Sequence, residues 1–504
     1  MTLARITIHP EYVVAPVPAR LFGSFVEHMG RCVYTGIYEP GHPSADADGF
    51  RQDVLELVSE LGVTHVRYPG GNFVSNYRWE DGVGPVADRP TRLDLAWHTT
   101  ETNEFGLAEF TRWAKKAGIE PVLTLNLGTR GVPEALSLLE YCNHPSGSSL
   151  SDLRRAHGDD EPFNVRMWCL GNELDGPWQT GHKTATEYGR LAAETARAMR
   201  QFDPTLELVA SGSSGRGMAT FGQWEYEVLS ECLDQVDWIS LHAYYEVQAG
   251  DLAGLLASSV DMDRFITSVI AVADAVAAAH HSDKKLLLSF DEWNVWYMSR
   301  MSTVHYERWT SRPRLAEDDY TVADAVTVGS LLITLLRHCD RVRAASLAQL
   351  VNVIAPIRTE PGGPAWRQTT FHPFAETARH ARGTALQTLV DAPTMPTAAY
   401  GDVPVLDAVA VRTDDGLAVF LVNRSAEADV DIEIDLAAWP SLVVTEAKLL
   451  HEDDPWRTNS VDAPNAVELR PHPDLAPGRP AGHRLTFALP PVSWAVLTLA
   501  RAAG

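Results

Sequence analysis

Short runs of apolar residues recur from about residue 20 to residue 350, and a polar loop and a segment with helical periodicity follow each run. The runs are continuous rather than alternating, which is typical of strands buried on both faces of a parallel sheet. Eight runs share these properties: RLFGSFVEH, VTHVRYPGG, EPVLTLNLG, RMWCLGNE, LELVASG, VDWISLHAY, KLLLSFDEW and RAASLAQLV.

The segments between the runs carry apolar residues at the i, i+3, i+4, i+7 spacing of a helix that covers a core. In the first segment, Val54, Leu57, Val58 and Leu61 follow this spacing, and Gly62 stands where a C-terminal cap is expected. Eight strands alternating with helices predict a (β/α)8 TIM barrel of the α/β class. A doubly wound sheet is the alternative, but GSFVEHMG after the first strand is not the glycine-rich phosphate turn that such a sheet needs.

After residue 380 the apolar residues alternate with period two, as in VLDAVAVRTDDGLAVFLVNRSAEADVDIEIDL, and a turn signal lies at residues 414–416. We therefore expect residues 381–504 to form an all-β sandwich domain that is jelly-roll-like. Residues 1–18 have the same pattern and are expected to join that domain as a strand. The catalytic barrel would then occupy residues 19–380.

Composition narrows the class of function. The formal net charge of −24 repels nucleic acid and anionic membranes, so we expect neither as a partner and favour a neutral substrate. The first 18 residues contain no apolar core of a signal peptide, and the five cysteines are scattered without a CxxC pair. These features predict a cytoplasmic protein with reduced cysteines. No metal-ligand spacing and no phosphate-binding loop is visible, so we expect no metal and no cofactor.

Polar residues stand at the ends of the apolar runs, and the catalytic groups of a barrel lie at the C-terminal ends of its strands. In chain order they are Glu27, Arg67 with Asn72, Asn126, Asn172 with Glu173, His242 with Tyr244, Asp291 with Glu292, and Gln349.

Two of these carboxylates, Glu173 and Glu292, end the fourth and seventh runs, so a closed ring would place them nearly opposite each other. Glycoside hydrolysis needs such a pair, because one acid protonates the leaving oxygen while the other attacks the anomeric carbon or activates water. A separation of about 5–5.5 Å predicts retention of configuration and roughly 6.5–9.5 Å predicts inversion.

The motifs GNE and DEWN resemble those of clan A of the glycoside hydrolases, whose members are retaining. Five longer segments resemble glycoside hydrolase family 51, the α-L-arabinofuranosidases: FGSFVEHMGRCVYTGIYEPGHP, VRYPGGNFVSNYRWEDGVGP, WCLGNELDGPWQTGHK, SFDEWNVWY and AQLVNVIAPI. The resemblance extends over nearly the whole chain. It implies a retaining, exo-acting α-L-arabinofuranosidase that releases terminal L-arabinofuranose from arabino-oligosaccharides, and a homo-oligomer, commonly a hexamer.

The resemblance also implies residue roles. Glu173 would be the acid/base and Glu292 the nucleophile, while Asn172 would bind the sugar 2-hydroxyl. The other implied roles are hydroxyl binding by Glu27 and Asn72, orientation of the nucleophile by Arg67 and Tyr244, and sugar contacts from Tyr244, Trp296 and Gln349. From the residues alone, His242 is expected to be a buried, hydrogen-bonded histidine rather than a catalytic one.

Two other functions stay open at this point. One is a β-xylosidase or endo-glucanase on the same scaffold, and the other is a catalytically silent carbohydrate-binding protein. The long loops after the seventh and eighth runs favour a closed pocket for a terminal sugar, whereas a cleft would favour endo action. A binding protein would not need an opposed acid and nucleophile.

Overall fold

The computed structural model describes residues 2–248, 250–301, 306–439 and 441–502. Within these residues, eight parallel strands close into a barrel in chain order, and a β-rich domain follows, so the predicted fold class is confirmed. Barrel strands 1 to 8 are Gly23–Phe25, His65–Tyr68, Glu120–Thr124, Met167–Leu170, Glu207–Ala210, Trp238–Tyr245, Leu287–Val295 and Val342–Ala348.

Helices surround this barrel. The predicted first helix is confirmed as Gln52–Leu61, with Gly62 at φ 79° as its left-handed cap. The other α-helices are Leu107–Ala117, Val132–Asn143, Ser149–Ala156, Ala185–Phe202, Gln223–Cys232, Leu252–Leu256, Ser259–Ala279, Met298–Met301, Val322–Arg337 and Phe371–His380. Short 3-10 helices span Ala19–Leu21, Phe73–Asn76, Trp79–Gly82 and Val86–Asp88.

The barrel strands are apolar throughout because both of their faces are covered. Met167 and Cys169 of barrel strand 4 lie in the small cluster that fills the barrel interior. Trp168 and Leu170, which alternate with them, pack in the outer core under the helices. This explains why the sequence shows continuous runs there.

A nine-stranded sheet forms the C-terminal domain, and Thr2–Pro16 belongs to it. That strand lies between Thr384–Asp391, to which it is antiparallel, and Val430–Asp435, to which it is parallel. In spatial order the strands are Arg470–Pro471, Leu442–Leu450, Ser493–Arg501, Gly416–Asn423, Leu406–Arg412, Thr384–Asp391, Thr2–Pro16, Val430–Asp435 and Arg484–Leu489. Three two-stranded sheets complete the fold: Arg92–Asp94 with Thr99–Glu101, Ile357–Thr359 with Ala365–Arg367, and Thr394–Thr397 with Gly401–Pro404.

The two faces of this sheet serve different cores, as the period-two pattern requires. Ala408 and Ala410 lie in a cluster made only of residues of the nine-stranded sheet and its loops. The sheet therefore curls over and covers its own inner face, as in a sandwich. Val409 and Val411 point the other way and join the large core of the barrel.

A buried polar cluster accompanies this contact between sheet and barrel. The carboxylate of Asp407 in the sheet accepts hydrogen bonds from Arg337 of the barrel and from Arg424. Ser259 and Ser330, on two barrel helices, also bond to Asp407 and Arg424. In the part of the chain that the structure describes, no helix combines the length and the apolar character that a membrane span requires.

Candidate active site

The C-terminal ends of the barrel strands bring most of the predicted side chains together at one end of the barrel. Glu27, Asn172 and Glu173 follow barrel strands 1 and 4, and Gln349 follows barrel strand 8. Arg67, His242, Tyr244 and Glu292 lie within barrel strands 2, 6 and 7. Most of these polar side chains are buried, which is costly unless each is paired.

Glu292 is held from three sides. Its Oε1 accepts a hydrogen bond from Arg67 Nη1 at 2.8 Å, and its Oε2 accepts one from the Tyr244 hydroxyl at 2.7 Å. His242 Nδ1 lies 3.6 Å from Oε2. Burial opposes ionisation of Glu292, but the charges of His242 and Arg67 and the bond from Tyr244 outweigh it and hold its pKa below the ordinary value. The carboxylate is therefore ionised and fixed in direction.

Glu173 has a different set of partners. Its backbone takes the left-handed conformation at φ 46°, two residues after Gly171 at φ 96°, and this turn ends the apolar strand. His242 Nδ1 lies 2.9 Å from Glu173 Oε1, and the indole N–H of Trp178 donates to Oε2 at 2.9 Å. Unlike Glu292, Glu173 has no arginine partner within ion-pair distance among the described residues.

The two carboxylates face each other across His242. One oxygen of Glu173, one oxygen of Glu292 and one ring nitrogen of His242 all lie within 4.8 Å of one another. An approach of two carboxylate oxygens within this limit agrees with the roughly 5–5.5 Å between the carboxyl groups of retaining glycosidases and lies below the roughly 6.5–9.5 Å of inverting ones.

His242 lies between the two carboxylates. Burial lowers its pKa, but the negative charges of Glu292 and Glu173 and the hydrogen bond to Glu173 raise it more, so the net shift is upward. Its Nε2 atom is buried without a partner among the described residues. His242 is buried, as expected from the sequence, but it contacts both carboxylates, which the sequence did not indicate.

Asn172 is connected to the nucleophile through Arg67, and it is not among the residues that line the small cavity. Its Oδ1 accepts a hydrogen bond from Arg67 Nη2 at 2.7 Å, which fixes the orientation of the amide. Its Nδ2 is buried and has no partner among the described residues. A buried free donor of this kind suits a sugar hydroxyl.

Glu27 forms the opposite wall. Its Oε1 accepts hydrogen bonds from the backbone N–H of Phe73 at 2.9 Å and from the indole of Trp97 at 2.8 Å. Gln349 Nε2 lies 3.3 Å from Oε2. Burial raises the pKa of Glu27 well above its ordinary value, and the charge of Glu292 adds to this. A protonated Glu27 can donate one hydrogen bond to a sugar hydroxyl in addition to accepting.

Gly71 explains the YPGGN turn. A Cβ atom at this position would lie 2.3 Å from the carboxyl carbon of Glu27, and the backbone has φ +61°. Only glycine therefore allows the turn to pass so close to the carboxylate. Asn72, the next residue, lines the pocket.

These side chains enclose a small cavity of about 40 Å³. The ring of Trp296 meets the ring of Tyr244 edge to face, with centroids 4.9 Å apart. The predicted residues that line the cavity are Glu27, Asn72, Glu173, Tyr244, Glu292, Trp296 and Gln349. An outer groove of about 660 Å³ adjoins it on the side of Glu173.

Two strand-end residues lie elsewhere. Asn126 bonds to the backbone of Tyr77 at 2.9 Å and caps its own loop, and it does not line the small cavity. Asp291 points into the barrel interior, where it bonds to Ser289 and lies 3.5 Å from Arg67 Nε.

Two tryptophans of the site were not predicted. Trp97 lies in the turn between Arg92–Asp94 and Thr99–Glu101, a hairpin outside the barrel repeat, and carries no signal in the sequence. Trp178 lies five residues after Glu173, within the GNELDGPW segment that resembles family 51. Its ring is exposed, and the sequence pattern indicates no role for it.

Two clusters among the described residues have the spacing of metal ligands. The first is Glu173, His242 and Glu292; the second is Glu376, His380 and Glu446, far from the pocket. In the first, Arg67 already bonds to Glu292, and in the second, Lys448 bonds to both carboxylates at 2.9 and 3.0 Å. The positive charge that a metal would supply is thus already present in both.

Two family models match the chain. Residues 57–253 match the α-L-arabinofuranosidase 1 domain, and residues 291–493 match the α-L-arabinofuranosidase C-terminal domain. Both catalytic candidates lie within the matched segments.

Whole-chain relatives agree with these models. The chain is 60% identical to an intracellular exo-α-(1→5)-L-arabinofuranosidase of Streptomyces lividans over 98% of this chain and 75% of the relative. It is 56% identical to an exo-α-(1→6)-L-arabinofuranosidase of Bifidobacterium longum, over 97% of this chain and 96% of the relative. A solved family 51 α-L-arabinofuranosidase from Bifidobacterium longum superposes with a TM-score of 0.94 at 53% identity, covering 99% of both chains. The chain therefore belongs to the α-L-arabinofuranosidases of glycoside hydrolase family 51.

Proposed function

We propose that the protein is an exo-acting, retaining α-L-arabinofuranosidase, with Glu292 as the nucleophile and Glu173 as the acid/base. The observation that carries this assignment is the carboxylate pair, whose facing oxygens lie within 4.8 Å while their surroundings differ. Glu292 has an arginine and a tyrosine that favour its ionised form, whereas Glu173 faces the open groove.

In the first step, an oxygen of Glu292 attacks the anomeric carbon and the bond to the leaving oxygen breaks. Glu173 transfers its proton to that oxygen, so the leaving group departs as a neutral alcohol. The sugar is then held on Glu292 as an ester. Asn172, whose Nδ2 is buried without a partner among the described residues, would donate to the 2-hydroxyl, and this contact would strengthen as positive charge develops on the sugar.

In the second step, Glu173 takes a proton from water as the water oxygen attacks the same carbon. The ester bond breaks, Glu292 regains its charge, and arabinose leaves with its original configuration. Across the first step a negative charge disappears from Glu292 and appears on Glu173. Because His242 lies between the two, 2.9 Å from one and 3.6 Å from the other, it faces one negative charge in both states.

The small cavity supports exo action. Loops after barrel strands 7 and 8 and the Trp97 hairpin close it on one side, since Trp309 N donates to His98 O at 2.7 Å and Tyr306 bonds to the backbone of Trp97. A pocket closed on one side suits the terminal unit of a chain, whereas a continuous chain would need two exits. This favours the exo mode over an endo-glucanase.

The leaving group is expected to be joined through a primary hydroxyl. The Streptomyces lividans relative is named for the (1→5) linkage and the Bifidobacterium longum relative for the (1→6) linkage. In an arabinofuranose chain O5 is primary, as is O6 of a hexose. The Streptomyces lividans relative is also named intracellular, so we infer that this protein acts on arabinose-containing oligosaccharides inside the cell.

The test compares Glu292→Ala and Glu173→Ala on an aryl arabinofuranoside and on arabinobiose. Glu292→Ala should lose activity on both by about 10⁴-fold or more. Glu173→Ala should lose far more on arabinobiose than on an activated aryl glycoside, which needs no proton. Azide should restore the aryl rate by attacking the ester on Glu292, and it should give an α-configured azide product. NMR of the first-formed product should show the α anomer. Full activity in either variant, or an inverted first product, would contradict the assignment.

Assembly into a homo-oligomer, a hexamer by family resemblance, is part of the proposal. Leu3, Tyr12, Val13 and Leu389 are exposed on neighbouring strands of the nine-stranded sheet. Exposed apolar side chains are common on contact surfaces. Light scattering coupled to size exclusion would give the mass directly, and a monomer at micromolar concentration would contradict this part.

A further inference from the structure

The outer groove differs from the inner cavity in size and in position. Its volume is about 660 Å³, against about 40 Å³ for the cavity that surrounds Glu292. Pockets of roughly 300–1,000 Å³ hold ligands of drug size. Glu173 lines both spaces, while Glu292 lines only the inner one, so the groove lies on the side from which the leaving group departs.

Several elements line the groove beside Glu173 and Trp178. They include residues 214–217 after barrel strand 5, Tyr245 at the end of barrel strand 6 and Asp261 on the helix Ser259–Ala279. Trp97 also lines the groove, and its hairpin is bonded to Trp309. A leaving group that passes Glu173 therefore meets the strand 5 loop.

The strand 5 loop is anchored beside the acid/base. Asp175, two residues after Glu173, accepts hydrogen bonds from the N–H of Ser214 at 3.1 Å and from its hydroxyl at 3.2 Å. This bond fixes the loop relative to Glu173, so the groove wall is part of the same rigid frame as the catalytic pair.

Arg216 belongs to the same loop and lines the groove. Its Nε donates to Asp261 Oδ1 at 2.7 Å, and Asp261 Oδ2 accepts a hydrogen bond from the Tyr245 hydroxyl at 3.3 Å. Its two terminal nitrogens have no hydrogen-bond partner among the described residues. Asp261 therefore holds the guanidinium by one edge and leaves its remaining donors available in the groove.

The groove also presents apolar surface. Trp178 is 52% exposed and Met298 is 46% exposed, and both line the groove. An exposed indole is a surface on which the apolar face of a sugar ring packs. The groove thus offers a stacking surface at Trp178, which is bonded to Glu173, and hydrogen-bond donors on the strand 5 loop.

We propose that the groove binds at least two sugar units of a linear, neutral leaving group, and that Arg216 is a specificity-determining residue that contacts the second unit. This rests on the proposed function, because it assumes that Glu173 marks the leaving-group side. The substrate class is an unbranched arabino-oligosaccharide of three or more units. An arabinose attached as a branch to a longer main chain fits less well, since the main chain would extend in two directions from the point of attachment.

The experiment measures kcat/KM for α-(1→5)-linked arabinobiose, arabinotriose and arabinotetraose. In the wild-type protein we expect a rise of about fivefold to tenfold from the disaccharide to the trisaccharide, as one or two hydrogen bonds would give, and little further rise. Arg216→Ala should bring the ratio of trisaccharide to disaccharide close to one, and Arg216→Lys should give an intermediate ratio.

Arg197→Ala is the matched control, because Arg197 pairs with Glu194 on an exposed helix face, and its ratio should equal that of the wild type. A wild-type ratio near one, an unchanged ratio in Arg216→Ala, or a branched arabinoxylo-oligosaccharide turned over as well as arabinotriose would each overturn the proposal. If Arg216→Ala does not fold, the proposal is tested by the ratio of kcat/KM for trisaccharide and disaccharide in the wild type and in Arg216→Lys. Failure of the proposed function is a separate outcome, namely no release of arabinose from an aryl arabinofuranoside.

Discussion

The chemistry of single residues here depends on where positive charge is placed. Arg67 and His242 both face Glu292, while Glu173 has only His242 and an indole N–H. Two glutamates of equal intrinsic acidity thereby acquire different roles. Glu27, the third glutamate, has no cationic partner within ion-pair distance among the described residues and has a raised pKa.

Replacing His242 by Gln should change the pH profile in a defined direction. His242 is one of the charges that hold the pKa of Glu292 below its ordinary value of 4.5, in opposition to burial. Without that charge the pKa of Glu292 rises, so the acid limb of kcat/KM should move to higher pH. Initial rates on an aryl arabinofuranoside between pH 3 and 9 would measure this.

His65→Gln is the control for that shift. His65 is also a buried histidine of a barrel strand, but it bonds to Ser346 and burial lowers its pKa to about 4. Its replacement should leave the acid limb in place, and an unmoved limb in His242→Gln would contradict the role given to His242.

At the scale of elements, the site combines a regular frame with irregular additions. The eight strands could be predicted because burial on both faces leaves a continuous apolar run, and their polar ends followed from barrel geometry. The Trp97 hairpin could not be predicted from the sequence, because its two strands have three residues each and no periodicity. The contact of His242 with both glutamates depends on ring closure, which no local pattern encodes.

Trp97→Phe should show what the hairpin contributes. The substitution keeps an aromatic ring but removes the indole N–H that donates to Glu27. We expect kcat/KM for an aryl arabinofuranoside to fall about fivefold to thirtyfold, mainly through KM, as for loss of one hydrogen bond to an acidic group.

Trp309→Phe is its counterpart, since Trp309 contacts the same hairpin through its backbone, and its indole donates no hydrogen bond among the described residues. Its kinetics should match the wild type. Equal kinetics for Trp97→Phe would show that the hairpin merely covers the pocket.

For the whole molecule, the central question is what fixes the nine-stranded sheet to the barrel. Period-two alternation predicted a two-faced sheet, and the structure gives each face its own core. The order of the strands could not be predicted from the sequence, because the pairing between Thr2–Pro16 and Val430–Asp435 is set by the assembled core rather than by a turn. The Asp407 cluster lies in the contact between sheet and barrel.

Asp407→Asn should lower the free energy of unfolding by about 3–5 kcal/mol at neutral pH, because Arg424 and Arg337 lose their buried counter-charge. Burial opposes ionisation of Asp407, but these two arginines hold its folded pKa below the ordinary 3.8. The stabilisation is thus complete above the unfolded pKa and is lost as the pH falls through the folded pKa. The difference between wild type and variant should therefore shrink in acid.

Urea unfolding at several pH values would measure both effects. Glu194→Gln, which breaks an exposed pair with Arg197, should change the free energy of unfolding by less than about 1 kcal/mol. A similarly small change in Asp407→Asn would show that the apolar contact alone holds the sheet.

The strand Thr2–Pro16 has a consequence for how the protein is made. Its partners begin at residues 384 and 430, so the strand leaves the ribosome long before either neighbour exists. At roughly 5–20 residues per second, the wait for the first partner lasts roughly 20–80 s, during which the barrel segments are already emerging. Throughout that interval the strand stays without its sheet partners, and the sheet cannot be completed until Ser493–Arg501 has emerged.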